Sequence, residues 1–172
     1  LILVPTRPTV HLPNSMVRVY PVRADQLDDQ IKSFPLTIIS HRLGELFALM
    51  PGTNAGPAAW DQEMTTPYYY STRFDDSQIR TEFTPSERSG FFRFTFPDGK
   101  AVVRLSNRFP GELRAEGDRA ISGEERFNNM KAFVYGEFSG PVKIAVSGGD
   151  KKQVVAQADA TTLAFRYGIS FI

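Results

Sequence analysis

The alternation of residues between 90 and 97 constrains the fold more than any other feature of the chain. Phe92, Phe94 and Phe96 occupy every second position, and Arg93 and Thr95 stand between them. Successive side chains of a β-strand point to opposite faces of the sheet, so one face of this strand consists of aromatic rings. The pattern therefore predicts a strand with one buried face.

Turn signals divide the rest of the chain into similar short runs. Pro-Asp-Gly at 97–99 suits a hairpin turn, because proline presets φ and glycine accepts a positive φ. Further breaks stand at 74–78, 138–141 and 147–153, whereas no window sustains helical apolar spacing through two turns. Nine or ten short strands in succession predict an all-β fold with little helix, an antiparallel two-sheet sandwich.

Composition limits what the chain does. A length of 172 residues fits one domain, 1–172. Lys and Arg number 20 against 19 Asp and Glu, so we expect no nucleic acid partner. The absence of cysteine excludes disulfides and thiolate catalysis, and no apolar run approaches the roughly 20 residues of a membrane helix, so we expect no membrane insertion.

Two segments, 51–67 and 106–131, do not follow the strand pattern and are interpreted as long loops. Long loops in compact domains often carry function, so a site is sought there. The second segment contains Glu124 and Glu125, which have oxygens suited to hydroxyls or a cation, although a solvated loop is the preferred interpretation.

Trp60, the only tryptophan, lies in the first segment next to Asp61 and close to Glu63. An aromatic face beside carboxylates suits a sugar, because the ring stacks on the apolar face of a pyranose while the carboxylates accept from hydroxyls. The alternative is a tryptophan that anchors the loop to the sandwich. Asp61 and Glu63 also suit a general acid and base pair, but this spacing is too common to identify one.

His41 and His11 are the only histidines. A histidine titrates near neutral pH and binds metals, and His41 follows a strand-like run, as a residue at the rim of a cleft does. The alternative is an ordinary surface histidine.

The run "TTPYYYSTRFDDSQIRTEFTPSERSGFFRFTFP" at 65–97 resembles the N-terminal domain of glycoside hydrolase family 92, the calcium-dependent exo-acting alpha-mannosidases abundant in gut Bacteroides-type bacteria. The resemblance extends in order over about 13–172. It includes the runs "NSMVRVYP" (14–21), "IKSFPLTIISHRLGELFALMP" (31–51), "FVYGEFSGPV" (133–142) and "FRYGISFI" (165–172).

The chain also departs from the family pattern. A glycine-rich insertion that usually follows the histidine at the position of His41 is missing, and Phe92 stands where the family usually has a histidine. We interpret the second change as one of packing.

The resemblance implies a two-sheet "supersandwich" like that of galactose mutarotases, which packs on a C-terminal (α/α) barrel of the same polypeptide. In the family that barrel holds the catalytic groups and most calcium ligands, so we expect no catalytic residue and no metal in this chain, and calcium in the missing domain. His41, Trp60, Asp61 and Glu63 are then candidates for binding the alpha-mannoside glycan. The family also implies an exported protein, periplasmic or on the cell surface.

Three hypotheses for the function remain open. The chain is either an accessory domain of that enzyme or a self-standing carbohydrate-binding module, in which Trp60 and loop tyrosines stack on sugar. The third hypothesis is a sugar mutarotase with His41 and a loop glutamate as acid and base.

Overall fold

The structure, a computed structural model, describes residues 8–10, 12–24, 28–39, 44–54 and 56–171. These residues form fourteen β-strands and no helix. The strands are β1 Gln30–Ile31, β2 Phe34–Ile38, β3 Glu45–Pro51, β4 Ala58–Thr66, β5 Tyr69–Phe74, β6 Arg80–Pro85, β7 Ser89–Thr95, β8 Lys100–Ser106, β9 Gly111–Glu116, β10 Ala120–Phe127, β11 Met130–Phe138, β12 Lys143–Ser147, β13 Gln153–Asp159 and β14 Thr162–Phe171. The described ranges contain no helix able to cross a membrane.

The strands form two antiparallel sheets. The nine-stranded sheet has the order β1-β4-β5-β6-β7-β14-β11-β10-β9, and the five-stranded sheet has the order β12-β13-β8-β3-β2. The last strand, β14, thus lies in the middle of the larger sheet and pairs with both β7 and β11. This arrangement confirms the predicted all-β, two-sheet sandwich.

Aromatic rings fill the space between the sheets. Phe92, Phe94 and Phe96 are all buried, and Phe34 of the smaller sheet lies 6.0 Å from Phe92, centroid to centroid. The hydroxyl of Tyr167 donates to the carbonyl of Leu36 at 2.7 Å and thereby joins the sheets. The rings at alternate positions are therefore core residues, as their period of two indicates. Each fully buried ring stabilises the folded state by about 1.5–3 kcal/mol.

The predicted turns are confirmed. The amide of Gly99 donates to the carbonyl of Phe96 at 3.2 Å, and Gly99 has the positive φ of 71° that its turn requires. Residues 74–78 connect β5 to β6, and 147–153 connect β12 to β13. The break at 138–141 carries the chain from β11 in the larger sheet to β12 in the smaller one.

The prediction of two long loops is wrong. Residues 58–66 form β4, and residues 111–138 form the three paired strands β9, β10 and β11. A bulge between Asp61 and Met64 breaks the alternation of β4, and Gln62 there has a φ of 53°. The alternation of β10 is concealed for another reason, because small or charged residues occupy its inner face.

The N-terminal region also differs from expectation. The alternating run at 15–22 suggests a strand, but it forms only isolated bridges, between Val10 and Val19 and between Val22 and Ser33. Val17 and Val19 are buried, so the alternation here indicates which side chains are buried. It does not indicate a continuous ladder of paired strands.

Candidate functional site

Three of the four predicted binding residues lie on β4, near one edge of the nine-stranded sheet. Only the two-residue strand β1 lies outside β4 in that sheet. Trp60 pairs with Phe74 of β5, and Asp61 pairs with Arg73. His41, the fourth predicted residue, lies outside the described residues, as does His11, so its role stays a prediction.

Glu63 is the centre of a polar group that we call the Glu63 cluster, formed by Arg23, Trp60, Glu63 and Tyr70. The Oε1 atom of Glu63 forms an ion pair with Arg23 and accepts a hydrogen bond from the hydroxyl of Tyr70 at 2.8 Å. The side chains of Arg23 and Glu63 are 13% and 19% exposed, so the cluster reaches the surface. Burial, followed by the charge of Glu63, raises the pKa of Tyr70, so its phenol is a neutral donor near pH 7.

Trp60 lies beneath the guanidinium of Arg23, whose central carbon is 3.9 Å from the centroid of the indole ring. The pair is a cation–π contact, and Trp60 is half-buried against the core. Arg23 therefore covers one face of the ring, and the indole also packs against the core, so a sugar stacks on Trp60 only after Arg23 moves. Both proposed roles of Trp60, anchor and binding surface, fit this position.

Two hydrogen-bond donors of the cluster are unused. The Nε1 atom of Trp60 and the Nε atom of Arg23 are buried, and neither finds an acceptor in the part of the chain that the structure describes. Most buried N–H groups have an acceptor, so two unused donors on contacting side chains indicate that an oxygen atom belongs beside them.

Asp61 is separate from this cluster. Its side chain is exposed, and its Oδ1 atom accepts a hydrogen bond from the backbone amide of Gln62 at 2.6 Å. The bulge thus places Asp61 on the outer face of the sheet beside Arg73, while Glu63 bonds to Arg23 and Tyr70. The structure does not bring Asp61 and Glu63 together as an acid and base pair.

Glu125 is a second unusual carboxylate, in the segment interpreted as a solvated loop, and this interpretation is wrong. Its side chain is fully buried between the sheets. Oε2 accepts from the backbone amide of Phe47 at 2.7 Å, and Oε1 accepts from the amide of Phe109. Burial raises the pKa of Glu125 to about 7, although these amide donors oppose the shift.

The sequence contains a signal for Glu125 but none for Arg23. Ile121, Gly123 and Glu125 stand at alternate positions of β10, so a strand with Ile121 inside also has Glu125 inside. Arg23, in contrast, is 40 residues away from Glu63 and follows a segment without regular pairing. No local pattern brings these two residues together.

No group of three or more metal-ligating side chains occurs in the described ranges. The charged side chains of the Glu63 cluster form one ion pair, and Glu125 binds backbone amides. Both carboxylates are therefore occupied by donors of the protein itself.

The two antiparallel sheets define a β-sandwich, and the Glu63 cluster lies near one edge of the larger sheet. A family model, the glycosyl hydrolase family 92 N-terminal domain, matches residues 4–170. The chain therefore belongs to this family of N-terminal domains. No curated protein matches the chain in sequence.

Solved structures share the fold. An inverting family GH92 mannosidase from Bacteroides thetaiotaomicron VPI-5482 superposes with a TM-score of 0.86 at 22% identity, covering 97% of this chain and 29% of that one. A family GH92 alpha-mannosidase from Bacteroides thetaiotaomicron has a TM-score of 0.79 at 18% identity, covering 96% and 31%. The GH92 family glycosyl hydrolase ccman5 has a TM-score of 0.78 at 16% identity, covering 95% and 30%. The chain thus spans less than a third of the length of these proteins.

Proposed function

We propose that this chain is the N-terminal domain of an exo-acting alpha-mannosidase and that its Glu63 cluster binds the mannoside. The proposal is supported by membership of the family 92 N-terminal domains and by structural neighbours that are named mannosidases. The observation that carries the role of the site is the pair of unused donors on Arg23 and Trp60 beside the carboxylate of Glu63.

The donors and acceptors of the cluster match a sugar hydroxyl. A hydroxyl group both donates and accepts hydrogen bonds. Its hydrogen is donated to Glu63, and its oxygen accepts from Nε1 of Trp60 or Nε of Arg23 once these two side chains, which now bury the two atoms, move apart. The same movement of Arg23 uncovers the indole face on which it lies, and the apolar face of the sugar ring then stacks there.

The other two predicted residues have weaker support. His41 belongs to this proposal only through the family resemblance. Asp61 is exposed and already accepts from Gln62, so it reaches a sugar only if the ligand extends over the outer face of the sheet.

Hydrolysis is assigned to the remainder of the polypeptide. In this proposal a C-terminal helical barrel packs on the sandwich and supplies the catalytic carboxylates and the calcium site. The chain alone then binds mannosides weakly and hydrolyses nothing. The proposed protein is exported, periplasmic or attached to the cell surface, in a Bacteroides-type bacterium.

The test compares three forms of the complete gene product on an alpha-mannoside substrate. Glu63→Gln keeps the size of the side chain but removes its charge, so we expect kcat/KM to fall about tenfold while the melting temperature changes by a few degrees at most. The control is Glu137→Gln, which breaks an exposed pair with Arg166 and leaves kcat/KM unchanged. Equal kcat/KM values for the wild type and Glu63→Gln would contradict the proposal that the Glu63 cluster binds the mannoside.

A second measurement separates the accessory domain from a self-standing module. Trp60 is the only tryptophan, so its fluorescence reports on this cluster alone. We expect no micromolar binding when the 172-residue chain is titrated with methyl alpha-mannoside. Micromolar binding would support a carbohydrate-binding module instead, and faster interconversion of the anomers of free mannose, followed by polarimetry, would support a mutarotase.

A further inference from the structure

Two arginines stand directly opposite each other on the outer face of the nine-stranded sheet. Arg73 of β5 pairs with Arg80 of β6, and both side chains are exposed. Their neighbours Thr72, Phe74 and Thr81 are buried, so the arginines point away from the core. Like charges directly opposite each other destabilise a sheet, so this pair needs a compensating negative charge.

Glu82 does not supply the missing charge. Its Oε2 atom accepts from Nε of Arg93 at 2.7 Å, and its Oε1 atom accepts from Nη2 of Arg93 at 2.7 Å and from the hydroxyl of Tyr69 at 2.7 Å. Arg80 reaches Oε1 only at 3.4 Å. Glu82 is thus neutralised by Arg93 through a two-bond contact, and the charge of Arg80 is largely uncompensated.

Arg73 has even less compensation. Asp61 is its partner in register on β4, but the Oδ1 atom of Asp61 accepts from the amide of Gln62 at 2.6 Å. Within the described ranges, the side chain of Arg73 forms no ion pair and no hydrogen bond. The Arg80 guanidinium, with five donors, forms one long hydrogen bond, from Nη2 to the hydroxyl of Tyr69 at 3.4 Å, so most donors of the two arginines are unused.

The arginines line a groove of about 480 Å³, a volume in the range of sites for small ligands. Gln62, Met64, Gln78 and Thr95 also line it, and no carboxylate does. The bulge in β4 brings Gln62 there, since its φ of 53° turns the side chain out of the regular alternation. The amide of Gln78 uses one of its two N–H donors on the carbonyl of Asp75 at 2.6 Å, whereas the exposed amide of Gln62 has both donors available.

We propose that Arg73, Arg80 and Gln62 form a binding site for an oxyanion, the phosphate, sulfate or carboxylate group of an acidic ligand. Guanidinium groups bind such anions through paired N–H donors, and two of them on adjacent strands contact one anion from two sides. The amide of Gln62 donates to the same anion from the third strand. The site shares no residue with the Glu63 cluster and does not depend on the proposed mannosidase function.

The test is a calorimetric titration of the protein, as its gene encodes it, with inorganic phosphate at low ionic strength. We expect a millimolar Kd for the wild type and at least a fivefold weaker Kd for Arg73→Gln and for Arg80→Gln. Arg114→Gln is the control, because Arg114 is an exposed arginine at the other end of the same sheet. Titrations with sulfate and with acetate distinguish a tetrahedral anion from a carboxylate.

Thermal unfolding checks the same site, because the difference in melting temperature between the variants and the wild type should change sign when phosphate is added. Without phosphate, Arg73→Gln and Arg80→Gln should melt about 1–2 °C above the wild type, since the repulsion is relieved. Phosphate should raise the melting temperature of the wild type and leave those of the two variants unchanged. The proposal would be overturned if phosphate raised the melting temperature of all proteins equally, the control included, or if the wild type showed no saturable binding. If either glutamine variant fails to fold, Arg73→Lys retains the charge and should weaken phosphate binding less than fivefold.

Discussion

Glu63 and Glu125 are both glutamates at inner positions of the larger sheet, yet they differ in what neutralises them. Glu63 meets a cation and a phenol, and its side chain remains 19% exposed. Glu125 meets two backbone amides and is fully buried. Side-chain partners are able to exchange for a ligand, whereas backbone amides are fixed by the strands. The comparison separates a carboxylate held by side chains near the surface from one held by backbone amides between the two sheets.

The surroundings of Glu125 explain its structural role. Glu125 lies on β10 of the larger sheet, and Phe47 lies on β3 of the smaller sheet. Phe47 is a buried residue with a φ of 52°, a conformation that costs free energy for a side chain of this size. The hydrogen bond from its amide to Glu125 therefore stabilises an unfavourable backbone conformation at the contact between the sheets.

Glu125→Ala should give the largest effect. It leaves one buried and one part-buried amide without an acceptor, at a cost of about 1–3 kcal/mol for the first and less for the second, so we expect a loss of about 3 kcal/mol in the free energy of unfolding. Urea denaturation measures this loss. The control is Glu124→Ala, which changes the neighbouring outward residue and should cost under about 0.5 kcal/mol. Similar losses for both variants would contradict the buried role of Glu125.

The pH dependence of stability is the second prediction. Burial raises the pKa of Glu125 from 4.5 to about 7 in the folded state, so the folded protein binds this proton more tightly than the unfolded protein. The free energy of unfolding contributed by Glu125 should therefore fall as pH rises from about 4.5 to about 7, by up to about 3 kcal/mol. The difference between the wild type and Glu125→Gln isolates this contribution. A difference that stays constant across that range would show that Glu125 has an ordinary pKa.

Glu63→Gln should have a smaller effect on stability. The variant keeps an oxygen to accept from Tyr70 but loses the ion pair with Arg23, a pair near the surface, so we expect a loss of about 1 kcal/mol. Urea denaturation at pH 7 provides the comparison with Glu125→Ala. If Glu63→Gln costs as much as Glu125→Ala, the distinction between the two carboxylates fails.

Arg93→Gln should have the smallest effect. The hydrogen bonds from Arg93 lower the pKa of Glu82, so they contribute stability at neutral pH that is lost as the pH falls through the lowered pKa. Arg93 is 53% exposed, and solvent screening keeps the loss under about 1 kcal/mol. Melting curves recorded at decreasing pH should show a difference between the wild type and the variant that is present at pH 7 and shrinks as the pH falls through the lowered pKa of Glu82. A constant difference would assign the effect to packing.

The strands with apolar inner faces are predictable from the sequence, and those with polar inner faces are not. Phe92 and Phe94 alternate with polar residues, so β7 is evident at once. The inner face of β10 has Gly123 and Glu125, and Gly123 is required because an added Cβ would lie 2.6 Å from Leu113. A glycine and a glutamate on an inner face do not resemble a core strand, so the sequence of this region resembles a loop.

The candidate site was predictable only in part. The aromatic and acidic residues of β4 stand together in the sequence, so Trp60 and Glu63 are recognisable as a pair from the sequence alone. Their partners come from elsewhere, since Arg23 lies 40 residues before Glu63 and Tyr70 lies on the next strand. The bulge at Gln62 separates Asp61 from Glu63, and no composition rule predicts where an extra residue enters a strand.

The position of β14 has a consequence for biosynthesis. Strands β1 and β4–β7 form one half of the larger sheet, β9–β11 form the other, and only β14 connects the two by hydrogen bonds. During translation these halves emerge from the ribosome first, each with an unpaired edge strand exposed. The larger sheet is continuous only when residues 162–171, the last of the described strands, have been synthesised, so its two halves await each other until that point.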